Sequence, residues 1–551
     1  MIGEIWAEGL NRLGDWNPQA FRELKGRLTT RNLWLVVGGA ALLQGILLVG
    51  FVLMLPDPEG TKVFNAYCVP ESPERLLCQV PIQIRWSLWW RHLAVALSWI
   101  WPYAIAVPSV AFVAGNFTQE VQRGTLNVLR LSPQRPRALL QGKLWGVPSP
   151  IWLGGLTTLP LYLWAALQGG IPIAFLLSYG LTWGLAIGVM NTAAALLSLN
   201  LENQEKLHPQ TSTGAAIGAA ALAWTLGVPL ISFGGLAILW SRFGVLTPAW
   251  ESNLTWFGWS LTQNPWLAHL WVWGWLGGFG RGLHQAATAR IANPLAPVPT
   301  KGGSYFLTVA LTLLVLGFFP TSGKIHEAFL YHVPFYLGGA GLFLAATGCL
   351  QKRQTLLDWL RYRHLSGDRR PLWRDLVLGE RSPWVGCLAL NAALYVGLWL
   401  GWALLQEPQA LGKVLVMGLS LTLSAIAWNA LMQTLRLWAR RPRQEAQMSI
   451  IGLLILSLPS LVVLGTWPLR TVVWPLWLAL GQTWVLLLDE VVPALGPGAI
   501  AGILGQSLVC GGILGLSLRV WQRQGASEWQ RLAARETAPA LSTSSEKHHV
   551  G

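Results

Sequence analysis

The sequence predicts an all-α polytopic membrane protein, and three observations favour this class. First, 53% of the 551 residues are hydrophobic and only 11% are charged, whereas a soluble protein carries roughly 25% charged residues. Second, apolar runs long enough to cross a bilayer as helices, about 20 residues each, recur along the whole chain. Third, most lysines and arginines lie in alternate polar loops between these runs, which is typical of basic cytoplasmic loops.

We interpret the apolar runs as about twelve transmembrane helices in two six-helix halves. The first half covers residues 33–300 and the second covers residues 301–518. Residues 1–32 form a cytoplasmic N-terminus, and residues 519–551 form a cytoplasmic, partly disordered tail. The predicted spans are Leu33–Leu55, His92–Val113, Leu144–Leu167, Ile171–Leu199, Gly214–Trp240, Pro265–Gly280, Tyr305–Pro320, Tyr331–Leu350, Trp384–Leu405, Gly412–Leu435, Ser449–Trp467 and Gly498–Leu518.

One further apolar segment, Thr471–Leu488, is close to the lower length limit for a span. We interpret it as a re-entrant or interfacial segment, because a span there would place the Arg-rich tail outside. With this assignment, 31 of the 39 lysines and arginines lie in segments on the cytoplasmic side. Both termini are then cytoplasmic. The net charge of +15 is explained by these loops, so a nucleic-acid partner is not expected.

The N-terminal segment is predicted to contain an amphipathic helix ahead of the first span. Asn17 is a favourable N-cap, and Pro18 suits the first helical position. An apolar stripe of Phe21, Leu24 and Leu28 follows, with basic residues between its members. Such a helix can lie in the inner membrane interface.

The loop of residues 114–143 carries an ordered motif. It reads Glu-x-x-Arg-Gly-Thr-Leu-Asn-x-Leu-x-Leu-Ser-Pro and ends in Leu-Leu-x-Gly-Lys before the third span. This order resembles the loop after the second span in permease subunits of ABC exporters of the second bacterial type. Asn127 departs from that family, which usually has Glu there. The residues assigned to this loop are Gln119, Glu120, Arg123, Gly124, Thr125, Leu126, Leu129, Leu131 and Pro133.

The resemblance implies a permease subunit in the bacterial inner membrane that exports a lipid, a saccharide or another hydrophobic cargo. A separate ATPase subunit would bind ATP and Mg²⁺, so no cofactor is expected in this chain. The N-terminal amphipathic helix would be the elbow helix of that family. A short helix offering Leu126 and Leu129 to a groove of the ATPase, framed by Glu120, Arg123 and Arg130, would couple the two subunits. The alternative is an ordinary basic connector.

Two further features are candidates for function or stability. Residues 351–383 form a second long basic loop, and Gly379, Glu380, Arg381, Ser382 and Pro383 within it are a candidate second coupling loop. Cys68 and Cys78 lie in the outer loop of residues 56–91. They can form a disulfide in an oxidising compartment, and two free thiols are the alternative.

The sequence contains no Gly-x-x-x-x-Gly-Lys-(Ser/Thr), no Gly-x-Ser-x-Gly and no His-Glu-x-x-His motif. We therefore expect no catalytic residues, no metal site and no enzymatic activity in this chain. Polar residues within the spans, Asn191, His269, Asn391 and Asn429, are interpreted as hydrogen-bonding partners between helices. Two other classes stay open: a multi-span membrane enzyme acting on lipid-linked substrates, and a structural subunit of a membrane complex.

The predicted topology is tested with reporter fusions. After Arg535, a fused reporter that is active only in the cytoplasm is expected to be active, and one that is active only outside the cytoplasm is expected to be inactive. The reason is that the predicted last span ends on the cytoplasmic side. A fusion within residues 56–91, assigned to the outside, is the matched control. An extracytoplasmic signal after Arg535 would show that Thr471–Leu488 spans the bilayer.

Overall fold

A computed structural model describes residues 14–56, 65–72, 75–78, 82–200, 210–223, 255–261, 265–294, 298–318, 371–406, 411–438 and 497–537, with a few isolated positions between them. The helices are α1 (Pro18–Arg27), α2 (Thr30–Leu53), α3 (Trp86–Arg123), α4 (Thr125–Arg130), α5 (Pro136–Gly146), α6 (Ser149–Gln168), α7 (Ile173–Asn200), α8 (Gln210–Leu222), α9 (Pro265–Ala292), α10 (Lys301–Leu316), α11 (Leu372–Leu378), α12 (Val385–Gln406), α13 (Leu411–Trp438) and α14 (Pro497–Thr537). The short strands are β1 (Pro70–Ser72), β2 (Arg75–Cys78), β3 (Thr255–Trp256) and β4 (Trp259–Ser260).

Seven helices in the described part of the chain are long and apolar enough to cross a membrane: α2, α3, α6, α7, α12, α13 and α14. They coincide with seven of the predicted spans and support the predicted class, an all-α integral membrane protein. Helix α9 covers the predicted sixth span but is not among the seven. The predicted spans Tyr331–Leu350 and Ser449–Trp467, most of Gly214–Trp240, and nearly all of Thr471–Leu488 lie outside the described residues.

Three predicted spans differ clearly in length from the helices that cover them. Helix α14 has 41 residues and runs to Thr537, past the predicted end of the last span at Leu518. Helix α3 has 38 residues, or about 57 Å, and continues well beyond the predicted His92–Val113 despite Pro102 and Pro108 inside it. The predicted span Leu144–Leu167 instead begins at Ser149, because α5 ends at Gly146 and a new helix starts after Pro148. The extra turns at the C-terminal end of α3 carry the start of the motif loop.

The chain divides into two compact units. The first comprises Met1–Leu254 with Trp259–Ala296, and the second comprises Thr255–Gly258 with Pro297–Gly551. In the first unit, α3 and α7 run parallel, since Tyr179 donates to the Ser98 carbonyl and Asn191 Nδ2 donates to Ser109 Oγ at 2.8 Å.

Helix α9 also runs parallel to α7, joined to it by a 2.8 Å hydrogen bond between Ser178 and His269 and a 2.9 Å bond between Thr182 and Trp273. Helix α6 is antiparallel to α3. The C-terminal ends of α3, α7 and α9 therefore lie at one end of the unit.

The second unit contains two parallel helix pairs. Thr308 of α10 donates to Asn391 of α12 at 2.8 Å. Ser420 of α13 donates to Gln506 of α14 at 2.8 Å, and Thr434 and Ser517 bond further along the same pair at 2.7 Å. The predicted role of buried polar residues between helices is confirmed for Asn191, His269 and Asn391. Asn429 differs, because its amide donates to the Ala425 carbonyl within its own helix.

A short hairpin follows α2. Strands β1 and β2 pair antiparallel, and a disulfide joins Cys68 to Cys78 with both side chains buried. Trp89 at the start of α3 donates to the Phe51 carbonyl at the end of α2 at 2.9 Å. The hairpin therefore spans the short gap between two antiparallel helices.

Candidate functional site

The motif loop is a helix–turn–helix element at the end of α3. Helix α3 ends at Arg123, and Gly124 adopts φ +70°, the left-handed conformation that favours glycine at a helix C-cap. Helix α4 begins at Thr125 and ends at Arg130, before Pro133. The chain therefore turns sharply at this glycine, between α3 and α4.

Helix α4 turns one face inward and one face outward. Leu126 is only 2% exposed, whereas Val128 is 69% exposed and Leu131 is 88% exposed. Residues three apart share a helix face, so Val128 and Leu131 lie together on the outer side. Leu126, which the sequence predicts to be offered to a partner, packs inward and does not lie on this exposed side; its contact with a partner stays a prediction. Leu129 is half-buried.

A buried ion cluster lies at the base of this element. The side chain of Lys143 on α5 is 1% exposed, and its ammonium contacts carboxylate oxygens of Glu23 at 3.3 Å and Glu120 at 2.5 Å. It also donates to Asn116 Oδ1 at 2.9 Å. An isolated buried charge is very unfavourable, so the two carboxylates are what keep the ammonium in this position. Glu120 therefore turns inward instead of framing a partner surface.

Helix α1 begins as the sequence predicts. Asn17 Oδ1 accepts from the Ala20 N–H at 3.0 Å, and Pro18 occupies the first helical position. The Asn17 amide also donates to the Ala138 carbonyl of α5 at 2.9 Å. The N-cap of α1 therefore also attaches it to α5.

The face that α1 buries is polar, not apolar. Gln19 and Glu23 are buried against α5, while Phe21 and Leu24 are only half-buried. Helices α1 and α5 approach so closely that a Cβ on Gly146 would lie 2.6 Å from the Glu23 Cβ. The apolar stripe of α1 thus points away from α5.

The environment of Glu23 favours its ionised form. Burial alone raises the pKa of this carboxyl, but the charges of Lys143 and Arg27 and their hydrogen bonds outweigh burial. The pKa of Glu23 consequently lies below its ordinary value. Arg27 donates from Nε at 3.1 Å, and Gln19 donates to the other carboxylate oxygen at 2.9 Å.

Arg130 is also turned inward. Its Nε donates to the Ile291 carbonyl at 2.7 Å, and its Nη1 donates to Asn127 Oδ1 at 2.8 Å. The exposed arginines around the tip of α4 are Arg123, Arg135 and Arg137, and Gln119, Thr125 and Pro133 are exposed between them. The tip is thus a small apolar surface with a basic rim.

The candidate second coupling loop is folded around another buried lysine. The Lys301 ammonium donates to the Leu376 carbonyl at 2.7 Å, the Ser382 hydroxyl at 2.5 Å and the Pro383 carbonyl at 3.2 Å. The Glu380 carboxylate accepts from the Lys301 N–H at the start of α10. Gly379 ends α11, and Ser382 and Pro383 are buried, whereas Arg381 is exposed. Most of this segment therefore faces the interior.

Sequence reasoning missed Glu23 and Lys301 as site residues. Nothing in the local pattern distinguishes Glu23 from a solvated charge on an amphipathic helix. Lys301 follows Thr300, which caps α10 by accepting from Gly303 at 3.1 Å. That cap is readable from the sequence, but the burial of the lysine beside it is not.

No protein-family model, no curated protein and no solved structure matches the chain.

Lys143→Met is expected to lower the free energy of unfolding by about 3–5 kcal/mol, because Glu23 and Glu120 lose the buried cation between them. Adding Glu120→Gln to Lys143→Met should restore part of this loss by removing one uncompensated charge. Lys25→Met, at an exposed position of α1, is the control and should stay within about 0.5 kcal/mol of the unchanged chain. Equilibrium unfolding in mixed detergent measures each value. Equal stability of the Lys143 and Lys25 variants would contradict the role of the cluster.

The lowered pKa of Glu23 predicts a pH dependence of stability. Its contribution is present above the unfolded-state pKa and is lost as the pH falls through the lower folded-state pKa. The Tm of the unchanged chain should therefore exceed that of Glu23→Gln at pH 7, and the difference should shrink in the acid range. Thermal scans between pH 7 and pH 3.5 measure it. A difference that stays constant on acidification would refute the assignment.

Proposed function

We propose that this chain is the transmembrane permease subunit of an ATP-driven ABC transporter, coupled to a separate ATPase subunit through the tip of α4. The cargo class we propose is a lipid, a saccharide or another hydrophobic molecule, moved outward. The proposal rests on the Glu-x-x-Arg-Gly-Thr-Leu motif of the loop and on the geometry of the element that this motif forms.

The observation that carries the proposal is a projecting apolar tip on a fixed base. Val128 and Leu131 are exposed, while Leu126 beside them is buried. The base is held by the Lys143 cluster, by the Gly124 turn and by the bonds of Arg130. A side chain presented on a preorganised element binds a groove at low entropic cost, which suits a contact that must transmit force.

The charges around the tip indicate the chemistry of the partner. Arg123, Arg135 and Arg137 are exposed, and the nearby Glu120 is neutralised internally by Lys143. A groove with an acidic rim and an apolar floor would complement this surface. ATP and Mg²⁺ would be bound by that partner, since the sequence of this chain has no phosphate-binding motif.

The proposed topology places the tip in the cytoplasm of a bacterial cell, with the protein in the inner membrane, twelve spans and both termini inside. In its support, the N-terminus of α2 and the C-termini of α3, α7 and α9 lie at one end of the first unit. That end also carries the basic residues of α1 and the motif loop. Helix α1 would be an interfacial elbow helix, with Phe21 and Leu24 facing the lipid.

Leu131→Asp and Val128→Asp are expected to release the ATPase subunit without impairing membrane insertion. A charge placed in an apolar interface typically costs about 2–5 kcal/mol, or roughly thirtyfold or more in affinity. Copurification of the tagged chain from its native membrane, with identification of bound proteins by mass spectrometry, measures retention. The control is Met54→Asp. Met54 is exposed and apolar and lies at the C-terminal end of α2, far from the tip of α4, so this variant should retain the ATPase.

Leu126→Asp is expected to behave differently, because this side chain is buried and the substitution should destabilise the fold itself. Full ATPase retention by the Leu131 and Val128 variants would leave the loop as a basic connector. Failure of the unchanged chain to bind any ATPase would remove the proposed function.

A further inference from the structure

Arg130 joins the motif loop to the end of α9. Its Nε donates to the Ile291 carbonyl at 2.7 Å, and its Nη2 donates to the Arg290 carbonyl at 3.3 Å. Helix α9 ends at Ala292, so both acceptors belong to its last turn. Carbonyls of a last helical turn lack partners within the helix, and a cation there is favoured by the helix dipole. The guanidinium therefore caps α9 from another element.

The helix α9 side of this joint is buried, and the guanidinium is held by a bond within α4. Ile291 is 1% exposed and Arg290 is 7% exposed. Asn127 accepts a hydrogen bond from Nη1 of Arg130 at 2.8 Å and so fixes the orientation of the guanidinium group. Asn127 is the position where the loop departs from the family that it resembles. Charge-assisted bonds from a planar guanidinium are strong and directional.

Helix α9 connects this joint to polar contacts deeper in the unit. It is 28 residues long, about 42 Å, and lies parallel to α7. His269 and Trp273 near its start bond Ser178 and Thr182 of α7. A displacement of one end of a stiff helix is carried along its length. Movement of α4 can thereby reach the contacts between α9 and α7.

We propose that Arg130 is a positioning residue that fastens α4 to α9, so that a partner bound at Val128 and Leu131 displaces α9. This inference rests on the proposed function for the identity of the natural partner. The mechanical connection itself can be tested without that partner. Its rival is a static cap, in which Arg130 stabilises the end of α9 but transmits nothing.

The experiment uses the full-length chain in lipid nanodiscs, with hydrogen–deuterium exchange of the last turn of α9, residues 288–292, as the readout. Leu131→Cys is coupled to biotin, and streptavidin then applies a load at the tip. The thiols of Cys349, Cys387 and Cys510 are removed by alanine substitution in every sample. In this background, streptavidin is expected to change exchange in the last turn of α9.

Arg130→Lys keeps the positive charge but lacks the planar guanidinium group that bonds both carbonyls of α9. It should raise exchange of that turn in the unloaded chain roughly tenfold, as expected for loss of a charge-assisted hydrogen bond, and should abolish the response to streptavidin. Asn127→Ala removes only the side chain that orients the Arg130 guanidinium, so it should raise the exchange by a smaller factor. This variant keeps the proposal testable if Arg130→Lys does not fold. Arg135→Lys, an exposed arginine of the same loop, is the matched control and should leave both readouts unchanged.

The outcomes separate the two models. A response to streptavidin that persists in Arg130→Lys overturns the proposal. Raised unloaded exchange in Arg130→Lys, with no response to streptavidin in any sample, identifies a static cap and overturns it as well. If streptavidin moves α9 through Arg130 but no ATPase copurifies with the chain, the proposed function fails while the connection stands.

Discussion

The structure of the candidate site depends on one buried ammonium group. Lys143 can be 1% exposed only because Glu23 and Glu120 reach it from two different helices. Removing a charge from water is costly, and the cost is offset only when paired groups are held in good geometry. The cluster therefore couples three positions in the chain: α1, the end of α3 and the last turn of α5. If one of them moves, a charge is left without its partner.

This constraint helps to hold the tip of α4 in a fixed position. A six-residue helix has little stability of its own. Here it is bounded by the Gly124 turn, lies next to the Lys143 cluster and is tied to α9 by Arg130. Because these contacts use the inward side, Val128 and Leu131 are left on the outer side. The tip is thus apolar and exposed because the polar and charged groups of the loop form their bonds on the inward side.

Local chemistry was predictable from the sequence, and the facing of side chains was not. The start of α1 at Asn17 and Pro18 and the turn at Gly124 follow from capping and backbone preferences that act within a few residues. The inward position of Leu126 and the use of Glu23 as a partner for Lys143 depend on residues about 20 to 120 positions apart. In α1, small residues of α5 allow a close approach, so the face carrying Gln19 and Glu23 is buried against a helix more than 100 residues later in the chain.

A second buried lysine, Lys301, holds another turn of the chain in place. Lys301 at the start of α10 binds the turn after α11, and α11 directly precedes the span α12, as α1 precedes α2. Exposed apolar side chains, including Trp373 at 67%, lie on α11. In both places a short helix lies just ahead of a long apolar helix, α1 ahead of α2 and α11 ahead of α12. The inward hydrogen bonds of the segment around Ser382 are accounted for by the buried Lys301 ammonium that they surround. The role of this segment as a second coupling loop stays a prediction.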